Sequence, residues 1–520
     1  MKKIALLGLV LVAGSLSVAR AQEEAPELPV IGETIDVRVV NVEVVATSES
    51  GPVRGLAAGD FRLLVDGKEV PIEYFTEVEN GTAAASANSE SGPVAPVGPS
   101  EAIGRSYLVF IDESFSVAKP RDVVLANLEK DLELMQGEDQ MAVLAFNGTT
   151  IDVLSPWTSD KTALAAALRN ARQRQAHGND LLAKNRSLGV DRNLFMEVAA
   201  DQEFSAKETA FLLEDFDARV SPEARTQLGR TAQAMAGTLR GIELPFGRKV
   251  MLLLSGGWSL GVAPKLFGPV VTAANQLGYT IYPVDVANPT PQTLKMLDAV
   301  AAQTGGKVAN SMKQDVFRTV VADSGTYYWL GFTPTWKAND QGHSIKIESR
   351  RSDVTLRSRS GFPDLSRKSE NMMKAESVLL FGGTGGMEND RRLKILIGQV
   401  KPLGRKEIEI PVTVGVPVEA LALTPSGKGY IAEAPLAVAA LDGKGGRAEI
   451  PTAKLRVAVK EPFRAGGFAR FQTTLRLSRA QQRLVFTVRD EVNGNTIWQE
   501  VDLQPDEKVA QGAKGQTQGE

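Results

Sequence analysis

The 520-residue chain is longer than a single hydrophobic core usually serves, so two to four domains are expected. Its 43% hydrophobic and 23% charged residues are those of an ordinary globular protein, and a net charge of −3 argues against a nucleic-acid partner. There is no cysteine and there are only two histidines, His177 and His343, so a disulfide framework, thiolate catalysis and cysteine-bound zinc are excluded, and no HExxH motif supports a zinc hydrolase.

Residues 1–21 read as a secretory signal peptide: Lys2 and Lys3 precede an apolar run from Ile4 to Val12, and Ala19-Arg20-Ala21 supplies a small-x-small cleavage site. The run is shorter than the roughly 20 residues a bilayer requires, and no later stretch is longer, so no integral membrane segment is expected in the mature chain. The expected location is therefore exported: periplasm, outer surface or extracellular. Residues 35–80 carry the alternating VRVVNVEVV and, after Ser50-Gly51-Pro52, FRLLVDGKEVPIEYF, whose Asp66-Gly67 pair is a hairpin signal. They are expected to form a small N-terminal β domain, followed by a flexible Ala/Ser/Gly/Pro linker over 81–101.

From residue 105 to 325 short apolar strands alternate with helical patterns. The strands are YLVFI at 107–111, MAVLAF at 141–146, VMLLL at 250–254 and YTIYPVDV at 279–286, continuous runs of the kind buried on both faces of a parallel sheet. One helix is marked by Val124, Leu128, Leu132 and Met135, and another by Ala224, Leu228, Ala232, Met235 and Leu239 behind Ser221-Pro222. A third runs from Thr290-Pro291 to Gly305-Gly306. The unit reads as a doubly wound, Rossmann-like α/β domain, whose site belongs at the carboxyl ends of its strands. A closing β extension is expected over 326–365, where Tyr327, Tyr328, Trp329 and Phe332 read as core aromatics. A β-sandwich is expected over 372–505, with helical periodicity ending near 370, and a disordered tail over 506–520. The fold class is thus multidomain, a central α/β domain flanked by a β-rich N-terminal unit and a C-terminal β-sandwich.

Directly after the first α/β strand comes Ile111-Asp112-Glu113-Ser114-Phe115-Ser116, a D-x-S-x-S pattern that gathers a carboxylate and two hydroxyls on one loop. Hard oxygen ligands with an open position suit magnesium, and the competing reading is that the serines cap the following turn. Here the chain resembles the von Willebrand factor A-type domain with its metal-ion-dependent adhesion site. The flanking blocks VNVEVVATSESGPVRGLAAGDFRLLVDGKEVPIEYF and TGGKVANSMKQDVFRTVVADSGTYYWLGFTP resemble the von Willebrand factor A-related proteins of Acidobacteria, so the likeness covers about residues 35 to 365.

That resemblance implies metal ligation by Asp112, Ser114 and Ser116, with Asn179 and Asp180 of His177-Gly178-Asn179-Asp180 where the family places a threonine loop. It also implies a second aspartate after the fourth strand, where this chain instead reads Leu254-Ser255-Gly256-Gly257. The implied site is degenerate and binds magnesium weakly, and the implied ligand is a protein with an exposed carboxylate. The function expected is a non-enzymatic binding or adhesion module. The alternatives are a metal-independent structural component of an envelope assembly and, further off, a secreted hydrolase built on Asp285, Asp152 or Glu113. The Gly-rich 381–386 lacks the Gly-Lys-Ser/Thr of a phosphate loop and reads as a turn.

The leader generates a first expectation. Intact-mass analysis of the exported protein should give a first residue near Gln22, and an unprocessed Met1 would overturn the assignment.

Overall fold

The structure is a computed structural model. It describes residues 39–84, 102–179, 222–242, 247–256, 263–287, 291–309, 315–336, 339–381, 393–404, 407–426, 429–442, 447–461, 466–490, 492 and 496–504. The expected leader, most of the linker and the tail lie outside them.

In chain order, strands β1 (Val40–Ser48), β2 (Phe61–Val65) and β3 (Tyr74–Glu79) come first. Next are β4 (Arg105–Asp112), α1 (Ala118–Lys130), β5 (Gln140–Phe146), β6 (Ile151–Thr158), α2 (Lys161–Gln173) and α3 (Pro222–Gly241). Then follow β7 (Arg248–Ser255), α4 (Ala263–Leu277), β8 (Tyr279–Asp285), α5 (Pro291–Gln303) and α6 (Val316–Gly325). Strands β9 (Thr326–Phe332), β10 (Gly342–Ser349) and β11 (Thr355–Ser358) lead to helix α7 (Arg367–Phe381). The C-terminal strands used below are β12 (Glu407–Pro417), β13 (Gly429–Asp442), β14 (Arg447–Val459), β15 (Phe468–Ser478), β16 (Gln482–Arg489) and β17 (Thr496–Leu503).

The chain is multidomain and rich in β-sheet. The central sheet runs β8-β7-β4-β5-β6, parallel except for β6, an edge strand the apolar runs did not announce. Because strand side chains alternate, each apolar strand feeds both faces. Leu108, Phe110, Leu144 and Leu253 pack with Leu228, Met235 and Leu239 of α3, while Tyr107, Val109, Ile111 and Leu252 pack with Leu125 and Leu128 of α1 and Leu164 of α2. All are essentially inaccessible to solvent, which is why these strands read as unbroken apolar runs.

The segments expected as a separate N-terminal β domain and a closing extension are one body. β1 pairs antiparallel with β9, from Val40 opposite Phe332 to Val44 opposite Tyr328, and β3 flanks β9 on its other side. β2 pairs with β10 in a second sheet, and Asp66 and Gly67 both take positive φ in the hairpin turn, as a type I′ turn demands. Period-2 patterns identified the strands, but long-range pairing leaves no mark in local sequence. The aromatics of β9 are core: Tyr328 is fully buried and Tyr327 nearly so.

Helical periodicity does not end near 370. Helix α7 packs Ala375, Val378 and Leu379 on Ala437, Ala439, Val485 and Trp498, the outer face of the sheet containing β13, β16 and β17. The inner face of that sheet and the facing β12-β15 sheet share one core, with Ile410, Val412 and Val414 against Leu436, Leu484 and Phe486. Among the described residues no helix is long and apolar enough to cross a membrane.

Charge fastens the amino ends of the central strands. Arg105, first in β4, is held by Asp139: Nη2 to Oδ2 at 2.6 Å and Nε to Oδ1 at 3.1 Å, with both side chains 3% exposed. The same carboxylate also accepts the N–H groups of Arg105 and Gln136. Removing one member of such a pair strands a charge in the interior, at a cost of about 3–5 kcal/mol. Asp139→Ala is therefore expected to lower unfolding free energy by that order in urea titration. A loss no larger than that of an exposed pair, about 0.5 kcal/mol, would show that the pair is not a support.

Candidate functional site

The carboxyl ends of β4 and β7 meet where the chain order of the sheet reverses, and the D-x-S-x-S loop stands there. Asp112 is the last residue of β4 and is fully buried, as is Ser116, and Ser114 is 3% exposed. Asp112 Oδ2 accepts the hydroxyl of Ser255, the last residue of β7, at 2.7 Å, which ties the two strand ends together. Asp112 Oδ1 accepts the N–H of Ser114 at 3.1 Å, and Ser116 Oγ donates to the carbonyl of Asp112 at 2.5 Å.

Neighbouring loops clasp this turn through their backbones. The N–H of Glu113 donates to Phe146 O, and that of Val117 to Val286 O. From the loop after α2, His177 N donates to Glu113 O at 2.8 Å and Gly178 N to Ser116 O at 3.1 Å. A Cβ on Gly178 would stand 2.5 Å from Ser116 O, so glycine is what permits the approach. The structure thus brings the 177–179 loop to the site by its backbone. Asn179 itself is exposed and among the described residues makes no hydrogen bond, and Asp180 lies outside them.

Helix α3 closes the site from above. Gln227 Nε2 donates to Ser114 Oγ at 3.0 Å and to Gly148 O at 3.3 Å. One turn on, Thr231 is fully buried, its Oγ1 making no normal-length hydrogen bond among the described residues but standing near enough to Asp112 to exert a weak pull on its carboxyl. Burial drives the Asp112 carboxyl up to about 7, against the hydrogen bonds from Ser255, Ser114 and Phe115 that favour its charged form.

The second carboxylate implied at position 256 has no room there. A Cβ on Gly256 would lie 2.5 Å from Asp285 Oδ1 and 2.5 Å from Ala287 Cβ. Asp285, 1% exposed and paired in register with Ser255, occupies that flank and accepts the N–H of Ala287 at 2.9 Å. Asp285, expected only as a hydrolase candidate, is marked in the sequence by its place at the end of the neighbouring apolar strand. Gln227 and Thr231 lie on the polar side of a helix read for its apolar stripe and carry no such mark.

Glu113 and Asp152 do meet, but through Arg174, whose Nε and Nη2 reach them at 2.5 Å each. An arginine fork between two carboxylates holds both as acceptors, unlike a general-acid pair sharing a proton. His177 is exposed.

A magnesium ion would draw on Asp112, Ser114, Ser116 and Ser255. These oxygens do not fit one in this conformation: the Ser114 hydroxyl accepts Gln227, the Ser116 and Ser255 hydroxyls donate to Asp112, and the group is sealed from water, whereas magnesium retains several waters. Among the described residues no cluster of three or more His, Asp or Glu side chains could hold a metal ion.

No protein-family model matches the chain, and no curated protein matches it in sequence. Among solved structures, the TFIIH p34 N-terminal domain is similar at 11% identity and a TM-score of 0.23, over 42% of this chain and 97% of that one. A β-glucuronidase 2 of Bacteroides uniformis is similar at 11% identity and a TM-score of 0.15, over 34% of this chain and 19% of that one. At these scores neither likeness bears on the fold or chemistry of this protein.

The raised Asp112 carboxyl has a definite pH consequence. The unfolded chain releases this proton near 3.8, whereas the folded chain keeps it until about 7. The stability this group contributes is complete below the lower value and is lost as pH rises through the upper one. Asp112→Asn copies the protonated form and has no proton to lose. Thermal midpoints should therefore shift in the variant's favour, relative to the parent, between pH 4 and 7. A constant difference across that range would contradict the burial argument.

Proposed function

We propose that the protein is an exported, non-enzymatic interaction protein whose central domain is a doubly wound α/β unit of the von Willebrand factor A type, with the strand-end oxygens locked in a metal-independent arrangement. The support for the domain type is the sheet order: numbered by chain order within the domain it is 3-2-1-4-5, with the third strand antiparallel, and the D-x-S-x-S loop stands at the switch between strands one and four. Export rests on the leader-like residues 1–21.

One observation carries the metal-independent part: α3 seals the loop with residues of the domain core. Lifting its first turns to admit a cation and a partner carboxylate would re-expose Leu228 and Ala232, both essentially fully buried, and Leu228 alone is worth roughly 1.5–3 kcal/mol. A single carboxylate offers little charge with which to offset that cost. The polar network instead pins β4 to β7 and to α3. Contacts with a partner then fall to other surfaces.

A magnesium-dependent reading keeps one supporting observation, the buried Thr231 hydroxyl beside Asp112, which makes no normal-length hydrogen bond among the described residues. The two readings separate in a titration of the full chain. The expected result is the same thermal midpoint in chelator and in millimolar magnesium, with no calorimetric heat of binding. Saturable magnesium binding that disappears in Asp112→Asn would overturn the metal-independent reading in favour of the adhesion-type site.

A further inference from the structure

Beside the sealed loop, at the same carboxyl-end face of the central sheet, a cleft of 310 Å³ opens between the α/β domain and the C-terminal sheets. Its walls come from four places. Residues 146–151, the loop after β5 that packs on Ser114 and Gln227, form one side, and Arg230 and Gln233 project from α3. Leu379 and Leu380 of α7 floor it, and the β13 end and the turn into β16 close it with Asp442, Gln481 and Arg483, with Asp502 from β17 beside them. Domain junctions at the carboxyl ends of parallel strands are where folds of this kind hold ligands.

Two guanidinium groups give the cleft its chemistry. Arg230 is exposed and, among the described residues, has no ion pair or hydrogen bond. Arg483 forms a loose ion pair with Asp502 of the same cleft, Nε to Oδ1 at 3.7 Å, and both side chains stay about half exposed. The remaining arginines around the central site are committed: Arg174 bridges Glu113 and Asp152, and Arg240 pairs with Glu376. Arg230 and the loosely paired Arg483 line one cleft, with the Thr149 and Thr150 hydroxyls and the Gln233 and Gln481 amides around them, and match a planar carboxylate that displaces the half-exposed Asp502 from Arg483. The donors of an arginine fork reach both of its oxygens, and apolar Leu379, Leu380 and Ile151 can cover the methylenes behind it. Asp442 and Asp502 on the rim exclude a densely anionic ligand and favour one with a single charge at a time.

We propose that this cleft is the partner site, and that it captures a glutamate or aspartate side chain of an acidic protein segment through Arg230 and Arg483 without a metal. The assignment rests on the metal-independent reading above and gives that reading its partner chemistry. The volume admits one or two side chains, so affinity comes from repeated engagement along an acidic segment and weakens with salt, as exposed charge pairs do.

The test uses the full-length protein and two synthetic probes, a capped tetrapeptide carrying two glutamates and the same peptide carrying glutamines, titrated at low salt in chelator and again in magnesium. The glutamate peptide is expected to bind in chelator, and Arg230→Gln and Arg483→Gln should each weaken it about tenfold. Arg351→Gln, an exposed arginine paired with Asp353 elsewhere, should leave it unchanged. Both cleft arginines are exposed enough for the variants to fold, which thermal midpoints equal to the parent's verify. Equal binding of the glutamine peptide, no binding in either buffer, or indifference to both substitutions overturns the cleft assignment alone. Displacement of the peptide by equimolar inorganic phosphate reassigns the cleft to small oxyanions and overturns the protein-segment assignment. Binding that needs magnesium and is lost in Asp112→Asn overturns the metal-independent reading instead.

Discussion

The apolar stripe of helix α3 has to be buried somewhere, and the place it finds decides most of what the rest of the molecule can do. Leu228, Met235 and Leu239 have no exposed surface, and they lie on the face of the central sheet formed by Leu108, Phe110, Leu144 and Leu253. Once the stripe is seated, its polar neighbours have no freedom left. Gln227 falls on Ser114 and Gly148, Thr231 falls beside Asp112, and the opposite edge of the helix turns Arg230, Gln233 and Arg240 toward α7 and the C-terminal sheets. On the metal-independent reading proposed above, a loop with the residues of a cation site thereby becomes a structural knot: hydrophobic burial is non-directional and large, whereas the hydroxyl contacts with a cation would each be small and would need the helix moved.

The two ends of the central sheet divide the work. At the carboxyl ends of β4 and β7 the groups in contact are hydroxyls and the Asp112 carboxyl, shifted toward its neutral form by burial, with the Glu113–Arg174–Asp152 ion pairs and the buried Asp285 beside them. At the amino ends they are full charges, paired. Arg248 lies 1% exposed over the ring of Tyr327, 4.5 Å from its centroid, with Glu43 Oε2 3.4 Å away. Asp323 collects Tyr282 Oη at 2.6 Å, Lys307 at 2.8 Å and Arg357; burial alone would raise its carboxyl, but these partners hold it well below the usual carboxylate range. Glu43 comes from β1, Tyr327 from β9 and Arg357 from β11, so this charged seam joins the β body to the central sheet and its helices. Buried charges are costly unless paired, and a seam made of them tolerates only the docking in which every pair is complete.

Local pattern carried a good deal of this. The four apolar runs are the four parallel strands because a strand buried on both faces has no polar alternation to hide, and Pro222, Pro291 and Asp66-Gly67 mark a helix start, a second one and a turn for reasons of backbone geometry. Three things were not legible, for different reasons. The union of residues 39–84 with 326–363 depends on pairing between β1 and β9, and hydrogen bonds between distant strands use backbone atoms every residue has. Helix α7 was passed over because its apolar positions, Met372, Ala375, Val378 and Leu379, stand next to a Gly-rich run and strands that dominate the local composition. Asp112 ends β4 with Ser114 and Ser116 in the turn after it, but sequence cannot say whether an oxygen faces a cation or a glutamine amide. In this structure the Ser114 hydroxyl faces Gln227 of α3, more than a hundred positions away along the chain.

The pairing of β1 with β9 also sets an order of events. Glu43 and Trp329, in contact in the finished protein, are 286 positions apart. The first strand emerges during synthesis with Val42, Val44 and Val45 ready for burial, and its partner follows on the order of tens of seconds later at ordinary rates of elongation. Through that interval β1 is an apolar edge without its β9 mate. Such an edge invites pairing with other chains, so the molecule is most vulnerable to self-association before its last third exists, and a holding chaperone or delayed folding across a membrane would serve β1 more than any other segment.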